Sequence, residues 1–178
     1  TLGRFVAVGN DGPESSTNNI WYSTDTVSWT VVNSGTTEYL YDVTYGNKTY
    51  VAVGIDGIIL TSSDGITWDN RTSGTSGYLY GVTFGNNTFI AVGGGGVFIS
   101  SDNGTSWDNR TIQTSIAPVQ SPNMRDITFG GNTFFAVSNG NEKQHRFQST
   151  DNGNSWSGFS YFTSSTFFNG VAYGNNTF

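Results

Sequence analysis

The stretch SSDNGTSW, from Ser100 to Trp107, decides the fold of this chain. It fits the pattern S-x-D-x-G-x-x-W, and STDNGNSW from Ser149 to Trp156 repeats it with the same spacing. Two versions are one residue shorter, SSDGITW from Ser62 to Trp68 and STDTVSW from Ser23 to Trp29. Four copies of one turn in 178 residues predict four copies of one structural unit.

A second signature gives the period of the repeat. The pattern aromatic-[VIF]-A-V begins at Phe5, Tyr50, Phe89 and Phe134, and Phe178 stands one period further on. The steps between these positions are 45, 39, 45 and 44 residues. Four short antiparallel strands in a period of this length are typical of one blade of a β-propeller. The sequence therefore predicts an all-β propeller built from four-stranded antiparallel blades.

The third copy shows the four strands most clearly. Aromatic and β-branched residues favour strands, whereas Gly and Asn tolerate the positive φ that tight turns need. Gly85-Asn86-Asn87 and the run from Gly93 to Gly96 are therefore expected to be turns, and the S-x-D stretch is the third turn. The predicted strands are residues 81–84, 88–92, 97–100 and 107–111.

The repeat predicts one domain, residues 1–178, with blades at about 1–38, 39–78, 79–123 and 124–167. The chain enters at a second strand, and residues 170–173 read as a first strand. We therefore expect residues 168–178 to complete the first blade, so that pairing of the N- and C-terminal strands closes the propeller. The alternative is that the chain is a fragment of a longer protein whose blades continue past Phe178.

The S-x-D turn is expected to have a structural role, which is to stabilise the blade. Its Asp carboxylate can accept hydrogen bonds from backbone N–H groups across the turn, and the Ser hydroxyl can satisfy another backbone group. The Gly permits positive φ, and the Trp covers the outer edge of the blade and links neighbouring blades. The structural residues predicted from the four copies are Ser23, Asp25, Trp29, Ser62, Asp64, Trp68, Ser100, Asp102, Gly104, Trp107, Ser149, Asp151, Gly153 and Trp156. A calcium loop needs further acidic ligands, so no metal site is predicted.

These turns and their spacing resemble those of the Asp-box, or bacterial neuraminidase repeat, propellers. That group includes sialidases, photosystem-assembly propellers and many secreted or phage-borne repeat domains, and the resemblance covers nearly the whole chain. It implies a propeller fold, but it does not imply one function. Sialidase chemistry would need three Arg that converge on the substrate, whereas Arg71 and Arg110 lie on predicted outer strands.

Composition excludes several classes of function. The net charge is −6 and the pI is about 4.4, and no run of Lys or Arg occurs, so nucleic-acid binding is not expected. No apolar run is long enough to span a bilayer, so membrane insertion is not expected either. No cofactor fingerprint is present. Low charge and richness in Thr, Asn and Gly suit a secreted protein of the extracellular space or of a virion or cell surface.

The candidate binding face follows from strand parity. In a four-stranded meander, the second–third loops and the blade-to-blade loops share one face, opposite the S-x-D turns. The loops predicted there vary from copy to copy, and loops that the fold does not constrain are free to carry function. The alternative is that they are solvated loops without a partner. The candidate binding residues are Tyr39, Asp42, Tyr78, Arg125, Asp126, Glu142 and His145.

Asp42 and Asp126 occupy the same repeat position, where the other copies have Gly81 and Gly170. Two carboxylates near the mouth of the channel could act as an acid and a base on a sugar. The alternative is that they cap backbone N–H groups of the inner strands or bind water in the channel.

We expect a non-enzymatic surface module that binds a glycan or a protein, or assembles with copies of itself. Tyr39 and Tyr78 could stack on sugar rings. The alternative function is a glycoside hydrolase of sialidase-like architecture that uses the carboxylates at the channel mouth.

Overall fold

The structure is a computed structural model that describes residues 3–9, 20–110, 112, 123–139, 146–159 and 168–178. The described residues form fifteen short strands and one 3-10 turn, Ile55–Gly57. Within the described residues, no helix is long and apolar enough to cross a membrane. The fold is therefore all-β, as predicted.

The strands group into four antiparallel sheets, and each sheet is one blade. Blade 1 contains β1 (Phe5–Val8), β2 (Ile20–Ser23) and β3 (Thr30–Val32). Blade 2 contains β4 (Leu40–Gly46), β5 (Thr49–Gly54), β6 (Ile59–Ser62) and β7 (Asp69–Arg71). Blade 3 contains β8 (Leu79–Gly85), β9 (Thr88–Gly93), β10 (Gly96–Ser100) and β11 (Asp108–Arg110). Blade 4 contains β12 (Met124–Gly130), β13 (Thr133–Ser138), β14 (Arg146–Ser149) and β15 (Ser157–Phe159).

Each blade is a meander in which consecutive strands pair, and the inner strands of blades 2, 3 and 4 are β4, β8 and β12. Two-residue turns connect these inner strands to the next strand. Asn86 and Asn87 have φ of 47° and 58°, and Asn47 and Lys48 also have positive φ. Positive φ at both central residues is what a type I′ hairpin turn requires, and Asn adopts it more readily than most residues.

The hydrophobic core lies between blades. One cluster joins Val51 and Ile59 of blade 2 to Phe89, Phe98 and Trp107 of blade 3. A second cluster joins blades 3 and 4, and a third joins blades 1 and 2. A single blade has two apolar faces, so it is stable only when neighbours cover both.

Inner strands of neighbouring blades fit together through an aromatic ring and a glycine. A Cβ added to Gly46 would collide with the ring of Phe84, and one added to Gly85 would collide with the ring of Phe129. Gly130 has the same relation to Tyr173. Close packing along the centre of the molecule therefore requires a residue without a side chain at the end of each inner strand.

The described residues do not show closure by pairing of the N- and C-terminal strands. Among the described strands, β1 pairs only with β2, and residues 170–173 belong to no ladder. Instead the C-terminal segment, residues 168–178, packs on blade 4: Tyr173 covers Gly130, and the ring of Phe178 stacks on Phe135 at 4.9 Å between centroids. The segment takes the next inner-strand position beside β12, and these contacts hold it there.

Candidate functional site

Three consecutive inner strands carry a β-bulge at the same repeat position. The pairing register shifts between Leu40 and Asp42, between Leu79 and Gly81, and between Met124 and Asp126. The extra residue in each strand is the one that the register skips, and these residues are Tyr41, Tyr80 and Arg125. A bulge bends a strand and changes the direction of a side chain, and bulges are frequent beside functional sites.

The bulged residues meet across the blades. The ring of Tyr41 lies 5.3 Å from the ring of Tyr80 and 6.4 Å from that of Tyr78, measured between centroids. Tyr78 and Tyr80 make an edge contact at 6.1 Å. The guanidinium carbon of Arg125 lies 4.3 Å from the centroid of Tyr80, within the range of a cation–π interaction. We call Tyr41, Tyr78, Tyr80 and Arg125 the tyrosine–arginine ridge.

Part of this ridge is open to solvent. Tyr41 and Tyr78 are exposed, as is Tyr39, whereas Tyr80 and Arg125 are partly buried. Desolvation and the neighbouring tyrosines raise the pKa of the Tyr41 hydroxyl, and the charge of Arg125 lowers it in part. The Nε of Arg125 is buried without a hydrogen-bond partner among the described residues. The ridge thus presents aromatic faces beside a partly buried guanidinium.

Backbone hydrogen bonds hold Tyr39 and Tyr78, each of which directly precedes an inner strand. The carbonyl oxygen of Tyr39 accepts a hydrogen bond from the N–H of Ile55 at 2.9 Å, and that of Tyr78 accepts one from Gly94 at 2.9 Å. A Cβ at Gly93 would collide with the Tyr78 carbonyl, so the close approach depends on glycine. A surface fixed by strands and backbone bonds loses little entropy when a ligand binds.

Asp42 and Asp126 connect inner strands. The carboxylate of Asp42 accepts the N–H of Val43 at 2.8 Å and the N–H of Val82 in the next blade at 2.7 Å. Asp126 repeats the arrangement, with Ile127 in its own strand at 2.8 Å and Val171 in the C-terminal segment at 2.7 Å. These bonds agree with the capping alternative considered above.

The glycine between these aspartates, Gly81, is there for a steric reason. A Cβ on Gly81 would lie 3.1 Å from the Cα of Asp126 and 3.2 Å from the N of Ile127, which leaves no room for a carboxylate. A Cβ on Gly170 would lie 3.5 Å from Oδ2 of Asp126, which is an ordinary contact distance, so Gly170 has no such steric requirement. Each Asp therefore accepts one backbone N–H from its own inner strand and one from the next inner strand. The next strand needs no Asp of its own for this contact.

Burial raises the pKa of Asp42 to about 6, although the N–H groups of Val82 and Val43 act in the opposite direction; the charge of Asp126 adds to the rise. Burial also raises the pKa of Asp126, against the hydrogen bonds from Val171 and Ile127. Both oxygens of each carboxylate already accept a backbone N–H. That arrangement favours a fixed structural group over one that is free to move a proton to a substrate.

The S-x-D turns lie at the other end of the blades. Ser100 Oγ donates to Asp102 at 2.7 Å and accepts the N–H of Gly104 at 2.9 Å, and Asp102 accepts the N–H of Ser106 at 3.0 Å. Desolvation opposes ionisation of Asp102, but the bonds from Ser106 and Ser100 outweigh it and lower the pKa to about 2. The turn at Ser149, Asp151 and Gly153 has the same bonds.

The two shorter turns close differently. Asp64 accepts the N–H groups of Ile66 and Thr67, two and three residues on, whereas the longer turns use a residue four positions on. Asp25 follows the short pattern with Val27 and Ser28. Ser62 and Ser23 cap these turns as Ser100 caps its own.

The tryptophans of these turns pack on the preceding blade. Trp107 belongs to the cluster shared with blade 2, Trp156 to the one shared with blade 3, and Trp68 lies against the cluster shared with blade 1. Trp29, in blade 1, is exposed. The described residues contain no group of three acidic or imidazole side chains that could hold a metal ion.

The sequence located only part of the ridge. Tyr39, Tyr78 and Arg125 were predicted and lie at this end of the molecule with Asp42 and Asp126, whereas Tyr41 and Tyr80 were missed. The available signal was the motif Tyr-Leu-Tyr, which occurs at 39–41 and again at 78–80. Glu142 and His145 fall outside the described residues.

No protein-family model and no curated protein sequence matches the chain. Among solved structures, it is similar to YCF48 bound to D1 peptide, with 20% identity and a TM-score of 0.56 over 68% of this chain and 39% of that one. It is also similar to an ancestral GH74 enzyme, with 20% identity and a TM-score of 0.62 over 87% of this chain and 24% of that one.

The computationally designed Ika8 protein matches at 11% identity and a TM-score of 0.55, over 92% of this chain and 52% of that one. YCF48 and the GH74 enzyme are propeller-type proteins. The chain has the fold of a β-propeller. It spans only about a quarter to a half of the length of these similar structures.

Proposed function

We propose that this protein is a non-enzymatic binding module whose tyrosine–arginine ridge holds a glycan. The observation that carries the proposal is the row of three bulges, which places Tyr41, Tyr80 and Arg125 side by side at one end of the inner strands. A bulge interrupts the pairing of two strands and changes the direction of a side chain. Three bulges at one repeat position therefore turn side chains of neighbouring strands toward the same surface.

The chemistry of the ridge suits sugar rings. The apolar face of a sugar can stack on an aromatic ring, and the phenol hydroxyls and the guanidinium can hydrogen-bond to its hydroxyl groups. The exposed rings of Tyr41 and Tyr78 lie 6.4 Å apart, so one ligand can touch both. The weakly charged composition, with 11% charged residues, also favours a neutral polar ligand over a highly charged one.

A peptide is the second candidate ligand, because the chain is similar to YCF48, which was solved bound to D1 peptide. Aromatic and Arg side chains are frequent anchors in protein interfaces as well as in sugar sites.

A glycoside hydrolase remains the alternative function, because the chain is also similar to a GH74 enzyme. The contacts of Asp42 and Asp126 support the non-enzymatic proposal, since each carboxylate links two backbone N–H groups.

We also propose that the four S-x-D turns place the chain among the Asp-box repeat proteins, and that it works outside the cell or on a virion or cell surface. The turn hydrogen bonds support the first of these two proposals, and the composition supports the second.

The test is a screen of the full chain on a glycan array and a peptide array. Retention of glycans by the wild type and their loss by the double variant Tyr41→Ala/Tyr80→Ala supports the proposal. Retention of peptides alone moves the function to the second candidate, and absence of any ridge-dependent binding overturns both.

Any oligosaccharide that binds is then incubated with the protein. Release of new reducing ends by the wild type but not by Asp126→Asn would establish the hydrolase alternative.

A further inference from the structure

Blade 2 contains a polar cavity next to the tyrosine–arginine ridge. Its volume is about 490 Å³. Sites for small ligands usually have volumes of roughly 300–1,000 Å³, so the cavity is large enough to hold one. One wall is the turn between β5 and β6, residues 56–58, and the other is the end of β7 with the first residues of the connection to β8, residues 70–76.

Both walls of the cavity continue directly to tyrosines at the ridge. Ser76 lines the cavity two residues before Tyr78, so the Cα atoms of these residues are at most about 7.6 Å apart. On the other wall, Asp56 follows Ile55, whose N–H donates to the carbonyl oxygen of Tyr39. A ligand that stacks on the exposed ring of Tyr78 is therefore within reach of the cavity.

Hydrogen bonds and close packing fix the shape of the cavity. Ser73 Oγ donates to the carbonyl oxygen of Thr75 at 3.2 Å, and Thr75 Oγ1 accepts the N–H of Gly77 at 2.9 Å. A Cβ on Gly57 would collide with the carbonyl oxygen of Thr75, so the two walls are in close contact. A site with fixed walls loses little entropy when a ligand binds.

Two polar side chains of the cavity are available to a ligand. Asp56 and Asn70 are exposed, and neither side chain makes a hydrogen bond or an ion pair within the part of the chain that the structure describes. Asp56 has a φ of 54°, which is uncommon for a residue other than glycine, although Asp and Asn adopt it more often than most. The cavity thus offers a carboxylate from the turn and an amide from β7.

The charge at the cavity is negative on balance. Arg71 also lines the cavity, but its Nε donates to Thr61 Oγ1 at 2.8 Å and its Nη2 lies 3.2 Å from the carboxylate of Asp69. That cation is therefore already paired, whereas Asp56 is not. Asp56 repels an anionic group of a ligand, but it can accept hydrogen bonds from the hydroxyl groups of a neutral sugar.

We propose that this cavity is a second part of the glycan site, and that it takes a neutral sugar unit next to the one on the ridge. Asp56 accepts hydrogen bonds from the hydroxyl groups of that unit and the Asn70 amide donates to them, while Tyr41 and Tyr78 stack on the neighbouring unit. The ligand is then a neutral oligosaccharide of at least two units. This inference rests on the function proposed above for the ridge, and it adds the length and the charge of the ligand.

Calorimetric titration of a neutral oligosaccharide selected on the glycan array tests the cavity separately from the ridge. Asp56→Gly removes the carboxylate and suits the positive φ, and it should weaken binding about tenfold, because hydrogen bonds to charged groups are strong. Asn70→Ala should weaken binding about threefold, as expected for a neutral hydrogen bond. Asn109→Ala makes the same change at the same repeat position of blade 3, outside the cavity, and as the matched control it should bind as the wild type does.

The cavity and the ridge fail in distinguishable ways. Weaker binding by Tyr41→Ala with unchanged binding by Asp56→Gly and Asn70→Ala leaves the ridge as the glycan site and overturns the role of the cavity. Losses in the cavity variants without a loss in Tyr41→Ala overturn the single two-part site. Equal losses in Asn70→Ala and Asn109→Ala also overturn it, and absence of glycan binding by the wild type overturns both proposals.

The length and the charge of the ligand give a second test. The wild type should bind the neutral oligosaccharide more tightly than its single sugar units, and more tightly than a chain of uronic acid units of the same length. Asp56→Asn removes the charge and keeps a hydrogen-bonding group, so it should narrow the second difference. Equal affinity for single units and for the oligosaccharide, or a discrimination against uronic acids that Asp56→Asn leaves unchanged, overturns the inference.

Discussion

At the scale of single residues, aspartate has two different structural roles, and the fold shifts its pKa in opposite directions in the two. In the S-x-D turn, hydrogen bonds outweigh desolvation at Asp102 and lower its pKa to about 2. In the inner strand, burial dominates at Asp42 and raises its pKa to about 6. The local motif predicted the first role, because all partners lie within a few residues. The sequence left the second open, because Val82 comes from the next blade.

Asp42→Asn is expected to change how stability depends on pH. The folded-state pKa of about 6 lies above the ordinary 3.8, so between these values the folded protein keeps a proton that the unfolded chain releases. The wild type therefore loses stability as pH rises from about 4 through about 6. Asn resembles the protonated acid and does not titrate. Urea unfolding across this range should show the wild type losing on the order of 3 kcal/mol relative to Asp42→Asn, since the two pKa values differ by about 2.2 and one pKa unit is about 1.4 kcal/mol.

Asp102→Asn is the control of opposite sign. The pKa of Asp102 is lowered to about 2, so its carboxylate stabilises the fold above the ordinary 3.8 and loses that contribution as pH falls toward 2. The wild type should gain stability over Asp102→Asn as pH rises through this lower range. Parallel profiles for Asp42→Asn and the wild type would show that Asp42 is not desolvated as described.

At the scale of elements, the inner strands combine two features that a single repeat does not reveal. The glycines that end these strands have a steric partner only in the next blade, as Gly85 has in Phe129. The bulges at Tyr41, Tyr80 and Arg125 also escaped prediction, because alternation of side chains gives no sign of an unpaired residue. The repeated Tyr-Leu-Tyr marked the position without giving its geometry.

Gly85→Ala is expected to destabilise the protein by about 1–3 kcal/mol, the usual cost of overpacking. Its new methyl group would collide with the ring of Phe129, which the packed inner strands hold in place. Thermal or urea unfolding at low protein concentration measures the effect. Gly174→Ala is the matched control, because it adds the same methyl group at the same repeat position into open space. Equal losses in the two variants would refute the account of inner-strand packing.

At the scale of the whole molecule, the repeat predicted the antiparallel blades of a propeller. Regular spacing was sufficient for this, because each blade repeats the same local pattern. Closure was predicted from the similarity of the terminal strands, and the described residues do not show it. The C-terminal segment instead packs on blade 4 through Asp126 and Gly130. Which surfaces meet at the ends depends on contacts between distant parts, and periodicity carries no information about them.

The central claim is that the tyrosine–arginine ridge binds the ligand, and calorimetric titration of a glycan selected on the array tests it most directly. Tyr41→Ala should weaken binding about tenfold or more, because loss of an exposed aromatic anchor costs upward of about 1.4 kcal/mol. Tyr45→Ala, an exposed tyrosine at the opposite end of its inner strand, should bind as the wild type does. Unchanged affinity in Tyr41→Ala, or equal losses in both variants, would contradict the claim.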